Sequence, residues 1–152
     1  MKVTRLAEAK PYEPPGHFNV ASLRLQSPDL SRDFGVTAPV SAAVIMLGTN
    51  DCKSCYKSNP FKIAKGLSLC IDELSKYISH EKILIISPIF LGKEVWREEY
   101  DPEFDANSVE IAHNLFDEYK KVANEKGTSI ISAADYVEPS DVDQEHLTED
   151  GH

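Results

Sequence analysis

Two short polar segments hold the residues whose types and spacing could carry out chemistry. The first is Gly48-Thr49-Asn50-Asp51. A glycine lets its backbone N–H approach a substrate closely, and an asparagine two residues on can aim its amide at the same point. Two such donors are what a tetrahedral oxyanion needs. The segment is also compatible with an ordinary strand-to-helix turn in which Asn50 or Asp51 caps a helix.

The second segment places an aspartate and a histidine three residues apart. Asp143 and His146 lie near the end of the sequence, in Asp143-Gln144-Glu145-His146. Residues at this spacing can touch across one turn. The aspartate can then accept the Nδ1–H of the histidine and leave Nε2 free to act as a base. Taken alone, the pair also fits an acidic surface loop with a solvated histidine.

The elements that must position these segments alternate between strand and helix. A continuous apolar run that ends at Gly48 predicts a first strand, buried on both faces as in a parallel sheet. The predicted order is strand, helix, strand, helix, strand, which gives right-handed crossovers and a three-layer α/β domain. The strands are 42–47, 82–87 and 128–132, and the helices are 61–79, with Tyr77 and Ile78 on its buried face, and 105–126.

In such a sheet, ligands bind beyond the carboxyl ends of the strands. Three segments follow strands there, namely 48–56, 88–104 and 133–152. The first and the last contain Asn50 and His146. We therefore expect these two side chains to converge on one pocket, although they lie almost a hundred residues apart.

Composition narrows the classes of partner. The chain has 152 residues, 41% of them hydrophobic, which suffices for one domain with a core. Its net charge of -9 disfavours nucleic acid and anionic membrane surfaces as partners. The first residues show no secretory signal, and three cysteines are an odd number, so we expect a reduced, cytoplasmic protein.

The two segments, taken in this order, resemble the SGNH (GDSL-type) hydrolases, especially the arylesterase-like and lipolytic branch. Residues 44–51 look like the third conserved block of that family, residues 143–152 look like its fifth, and the resemblance covers residues 39–152. It implies a flavodoxin-like α/β/α sandwich and a serine esterase that acts on small acyl or aryl esters without metal or cofactor. It also implies that Gly48 and Asn50 bind the oxyanion, that His146 is the base and that Asp143 orients it.

The sequence departs from the family pattern at three places. No Gly-Asp-Ser, the block that carries the family's nucleophile serine, occurs in the sequence. Many members have glycine where this sequence has Gln144, and relatives usually continue past the position of His152 into a final helix. We therefore expect a domain without the usual first strands and last helix. The alternative to an active esterase is an impaired or inactive fragment or chimera that lacks the nucleophile.

The first 38 residues form a separate, atypical segment. They hold five of the nine prolines, and residues 1–26 resemble the start of small cupin proteins, although no cupin metal motif follows. Apolar and polar residues alternate from Phe18 to Leu25, which predicts one strand. Because the remaining chain supplies only three strands, we expect this segment to complete the sheet, or the chain to self-associate into a homo-oligomer.

Two further features admit other functions. Cys52 and Cys55 form a Cys-x-x-Cys motif near a helix start, where a redox function would place it, but they can equally line the loop beside Asn50. The long connection 88–104 carries aromatic residues, which suit either a lid over an acyl pocket or packing of the connection onto its own helix.

Overall fold

A computed structural model describes residues 41–152. The separate segment predicted at residues 1–38, with its strand at Phe18–Leu25 and its cupin-like start, lies outside these residues. The described elements alternate as predicted. They are β1 (Ala43–Ile45), α1 (Pro60–Leu74), β2 (Ile83–Ser87), α2 (Ala106–Lys126) and β3 (Ser129–Ser132).

The three strands form one parallel sheet in the order β1-β2-β3. Ile45 pairs with Ile85, which pairs in turn with Ile130, so the strands are in register across the sheet. The α/β class and the parallel sheet are therefore confirmed. Because all three strands run in one direction, the segments that follow them leave the sheet at the same edge.

Local sequence signals set the start of each helix. Asn59 precedes α1 and accepts a hydrogen bond from the Lys62 N–H at 2.9 Å, with Pro60 in the first turn. Asp105 precedes α2 and accepts from the Ser108 N–H at 2.7 Å, while the Ser108 hydroxyl accepts from the Asp105 N–H at 3.1 Å. This reciprocal pair is a capping box.

The first helix ends earlier than its apolar spacing predicts. α1 stops at Leu74, and the chain leaves the helix through a turn. Beyond that point the helical period no longer determines which side chains face inward. Ile78 is buried as predicted, but Tyr77 is 58% exposed, so its predicted place on the buried face is wrong.

Both helices pack on the same face of the sheet. The core joins Ala43, Ile45 and Ile85 of the sheet to Leu67 of α1 and Leu115 of α2. Two crossovers of the same hand in a sheet of order β1-β2-β3 leave their helices on one side. The burial of β1 on both faces was therefore predicted wrongly, since Val44 on the opposite face is 51% exposed.

Neither α1 nor α2, nor any other helix within residues 41–152, has both the length and the apolar character needed to cross a membrane.

Candidate functional site

Gly48 follows the end of β1 by three residues and has a backbone conformation that other residues rarely adopt. Its φ is +124°, outside the regions open to residues with a Cβ. A Cβ on this residue would also overlap the hydroxyl oxygen of Tyr119, which donates to the Leu47 carbonyl at 2.9 Å. The fold therefore requires glycine here, independently of the close approach to a substrate that the sequence suggested.

Tyr119 fixes this turn from within the core. The side chain is fully buried in α2, and burial together with the negative charge of Asp51 raises the pKa of Tyr119 well above its ordinary value. The phenol therefore stays neutral and donates steadily to Leu47. No sequence signal pointed to this contact, because the two residues lie 72 positions apart.

The turn that follows presents Asn50 to solvent. Residues Asn50–Cys52 form a single 3₁₀ turn, at whose start the Asp51 N–H donates to the Gly48 carbonyl at 3.0 Å. Asn50 is exposed, whereas Asp51 and Cys52 are buried. The residue that precedes this turn is Thr49, whose side chain makes no capping hydrogen bond. That Asn50 binds an oxyanion stays a prediction.

The Cys-x-x-Cys motif does not have the properties of a redox pair. Cys52 is buried, and its thiol donates to the Gly48 carbonyl at 3.4 Å. Burial, with the charge of Asp51, raises the pKa of Cys52 to about 12, which leaves almost no reactive thiolate at neutral pH. Cys55 is exposed and free. Within residues 41–152, no cluster of three or more His, Cys, Asp or Glu side chains could hold a metal ion.

Asp143 and His146 form the pair that their spacing predicted. The His146 Nδ1 lies 3.0 Å from Asp143 Oδ2, and the other carboxylate oxygen accepts from the backbone N–H groups of Glu145 and His146 at 3.0 and 2.9 Å. The histidine side chain is 71% exposed. With Nδ1 donating to Asp143, Nε2 is the ring nitrogen free to take up a proton.

The electrostatics of Asp143 favour its ionised form. Partial burial alone would raise the pKa of Asp143, but the hydrogen bonds from the two backbone N–H groups and from the His146 ring outweigh it and lower that pKa. A carboxylate held ionised in this way stabilises an imidazolium on His146.

Gln144 adopts the backbone conformation for which many SGNH hydrolases have a glycine at this position. Its φ is +59°, the left-handed region in which a glycine is usually favoured. The Gln144 carbonyl accepts from the Gly92 N–H at 2.7 Å, and its side-chain oxygen accepts from the Glu94 N–H at 3.0 Å. A Cβ on Gly92 would collide with the Gln144 side chain. The strained backbone of Gln144 is therefore held by the connection between β2 and α2.

Glu145 is a site residue that the sequence did not single out. Its side chain is only 11% exposed, and its carboxylate lies 3.9 Å from His146 Nδ1. Burial raises the pKa of Glu145, and the negative charges of Asp101 and Asp143 add to this, whereas His146 and Lys53 oppose it. Lys53, which follows Asn50 by three residues, therefore influences the pKa of Glu145 next to His146.

A nucleophile serine is the component that the described residues do not identify. Ser41 is exposed and precedes β1, which places it at the amino edge of the sheet, opposite Gly48. The other upstream serines considered, Ser22, Ser27 and Ser31, lie outside the described residues.

The aromatic residues of the connection 88–104 pack mainly onto α2 and the core. Phe104 is 2% exposed and belongs to the core, and the ring of Phe90 stacks on His113 of α2 at 4.0 Å between centroids. Trp96 is 42% exposed. Phe104 and Phe90 therefore anchor the connection, while Trp96 remains available at the surface.

Several solved structures share this fold. A carbohydrate acetylesterase from Sinorhizobium meliloti superposes with a TM-score of 0.60 at 24% identity, over 72% of this chain and 54% of its own. The native aryl esterase of M. smegmatis has a TM-score of 0.65 at 22% identity, again over 72% and 54%. A further crystal structure is 32% identical over 76% of this chain and 54% of its own, with a TM-score of 0.68.

The chain thus spans about half the length of the solved structures it resembles. No protein-family model matches it, and no curated protein matches it.

Proposed function

Because this chain has the fold of the SGNH hydrolases, we propose that it hydrolyses esters of small acyl groups at the carboxyl edge of its sheet. His146 is the proposed general base, Asp143 orients it, and Gly48 and Asn50 donate hydrogen bonds to the oxyanion. The geometry of Asp143 and His146, with Nδ1 and Oδ2 3.0 Å apart, carries the proposal. The acetylesterase and aryl esterase among the similar structures favour acetyl or aryl esters as substrates.

The proposed reaction begins with attack of a hydroxyl oxygen on the ester carbonyl. The hydroxyl proton passes to Nε2 of His146, and the Asp143 carboxylate stabilises the resulting imidazolium. The carbonyl oxygen becomes an oxyanion that accepts from the Gly48 N–H and the Asn50 amide. Collapse then breaks the ester C–O bond, and His146 returns the proton to the leaving alkoxide.

The identity of the attacking hydroxyl separates two versions of this proposal. If it belongs to a serine, the first product is an acyl-enzyme, which a water molecule activated by His146 then hydrolyses. If it belongs to water, the acid forms in one step. The absence of Gly-Asp-Ser from the sequence favours the second version, a half-site with weak activity.

Hydrolysis of 4-nitrophenyl acetate tests the proposal. We expect His146→Ala to lower kcat/KM about 10²–10⁴-fold, the usual contribution of a general base. Asp143→Asn should also lower kcat/KM, because an amide in place of the carboxylate no longer fixes the proton on Nδ1 and so no longer keeps Nε2 unprotonated as the base. Lys65→Ala is the control, since Lys65 is exposed on α1 and belongs to neither segment of the site. Equal rates for the wild type and His146→Ala would refute the proposal.

A further inference from the structure

Lys53 joins the turn that carries Asn50 to the connection between β2 and α2. Its ammonium group donates to Asp101 Oδ2 at 2.9 Å and to Glu103 Oε2 at 2.6 Å. The side chain is only 16% exposed and lies over the buried ring of Phe104, 5.1 Å from its centroid. Lys53 is therefore a largely enclosed cation with two carboxylate partners.

The backbone next to Lys53 reinforces this junction. The Ser54 N–H and the Ser54 hydroxyl both donate to the Glu103 carbonyl, at 2.9 and 2.8 Å. On the other side, the Lys53 N–H donates to the Asn50 carbonyl at 3.2 Å and closes the 3₁₀ turn. The position of the Asn50 turn thus depends on where residues 101–103 lie.

The same connection holds the loop that carries His146. The Gly92 and Glu94 N–H groups donate to the main chain and the side chain of Gln144. Within the connection, the Asp101 N–H donates to the Val95 carbonyl at 2.9 Å, which ties its two ends together. A continuous hydrogen-bonded path therefore runs from Lys53 through residues 92–103 to the loop 143–146.

We propose that Lys53 is a positioning residue. Through the connection 92–103 it holds the two halves of the site, the turn that carries Asn50 and the loop that carries His146, in a fixed relative position. This inference deepens the proposed function and rests on it for its catalytic consequence. Burial alone would lower the pKa of Lys53, but its hydrogen bonds to Glu103 and Asp101 raise it, so the residue remains charged. The charged groups that face it are Asp101 and Glu103, and its own charge in turn lowers the pKa of Glu145 and of the Tyr56 phenol.

Amide hydrogen exchange tests the inference without any assay of activity. Lys53→Met keeps an unbranched side chain and removes the charge, and Lys65→Met on the exposed face of α1 is the matched control. We expect Lys53→Met to speed exchange about tenfold at Ser54 and also at Glu145 and His146, whose N–H groups donate to Asp143. Exchange in the core of α2 should not change, nor should any of these sites respond to Lys65→Met.

Faster exchange at Ser54 alone would overturn the inference, because Lys53 would then hold only its own turn. If Lys53→Met does not fold, Asp101→Asn weakens the same junction, and the same two sets of amides decide the outcome. A carbon NMR titration of Glu145 gives a second readout: its pKa should rise in Lys53→Met and stay unchanged in Lys53→Arg. An unchanged Glu145 pKa in Lys53→Met would contradict the inference.

The catalytic consequence separates this inference from the proposed function. If the protein hydrolyses 4-nitrophenyl acetate, Lys53→Met should lower kcat about tenfold or more with a smaller change in KM, since small displacements of positioned groups slow the chemical step. Absence of hydrolysis in the wild type would refute the proposed function, whereas the exchange pattern would still decide whether Lys53 couples the two halves.

Discussion

Replacement of Gly48 by alanine should destabilise the fold through two separable effects. The first is backbone strain, because a φ of +124° is sterically closed to alanine; such strain costs about 1–3 kcal/mol. The second is displacement of the Tyr119 hydroxyl by the new methyl group, which leaves a buried hydroxyl and the Leu47 carbonyl without their hydrogen bond. An unsatisfied buried group costs about 1–3 kcal/mol.

We therefore expect Gly48→Ala to lower the free energy of unfolding by about 2–6 kcal/mol. Urea denaturation measures it, and with an m value of about 1.5 kcal/mol/M a loss of 3 kcal/mol moves the midpoint by about 2 M. Gly127→Ala is the matched control. Gly127 has a φ of +70°, but nothing lies within 4 Å of the position of its Cβ, so only the backbone term of about 1–2 kcal/mol applies.

Tyr119→Phe separates the two effects. Without the hydroxyl, the nearest atom to an alanine Cβ at position 48 would be the ring Cζ, at 3.4 Å, which is close but tolerable. Gly48→Ala should then cost about 1–3 kcal/mol less in the Tyr119→Phe background than in the wild type. Strictly additive losses, or a loss below about 1 kcal/mol for Gly48→Ala alone, would refute the role given to the Tyr119 hydroxyl.

Three other predictions concern reactive and titrating groups. A thiol reagent at neutral pH should label Cys55 rapidly and leave Cys52 and Cys70 unmodified in the folded protein, because burial raises the pKa of both of these thiols to about 12; rapid labelling of all three would revive a redox function. Glu145→Gln should stabilise the fold at pH 7 but not at pH 3. Folding raises the pKa of Glu145, so the protonated carboxyl contributes fully to stability below the unfolded pKa near 4.5, and this contribution is lost as the pH rises through the folded pKa. Equal urea midpoints for Glu145→Gln and the wild type at pH 7 would contradict this. A fluorophosphonate probe should label no serine stoichiometrically, and labelling of a single serine that His146→Ala abolishes would establish an intact triad instead.

The sequence predicts those parts of the site that depend on local spacing. Asp143 and His146 meet as expected because they lie three residues apart, and the three parallel strands follow from continuous apolar runs. The end of α1 was predicted too late because apolar residues continue at helical spacing beyond Leu74, although the chain has already turned.

The sequence does not reveal contacts between distant segments. Tyr119 behind Gly48 and the ion pairs of Lys53 with Asp101 and Glu103 join residues 48–72 positions apart. The local sequence does not distinguish these residues from their neighbours. The pattern around Tyr119 indicates only an aromatic residue of the core, and the pattern around Lys53 indicates only a surface charge. Packing of α2 against the turn after β1 gives Tyr119 its role, and packing of the connection 88–104 against the same turn gives Lys53 its role.

The central claim is that Asn50 and His146 act in one site, and a double-mutant cycle on ester hydrolysis tests it most directly. The cycle compares the wild type, Asn50→Ala, His146→Ala and the double variant. For each protein, the rate of uncatalysed hydrolysis of 4-nitrophenyl acetate is subtracted from the measured rate. Residues that act as a unit are strongly non-additive. We predict that the double variant is scarcely slower than His146→Ala alone. Losses that multiply, with the double variant slower by the product of both single effects, would contradict a shared site.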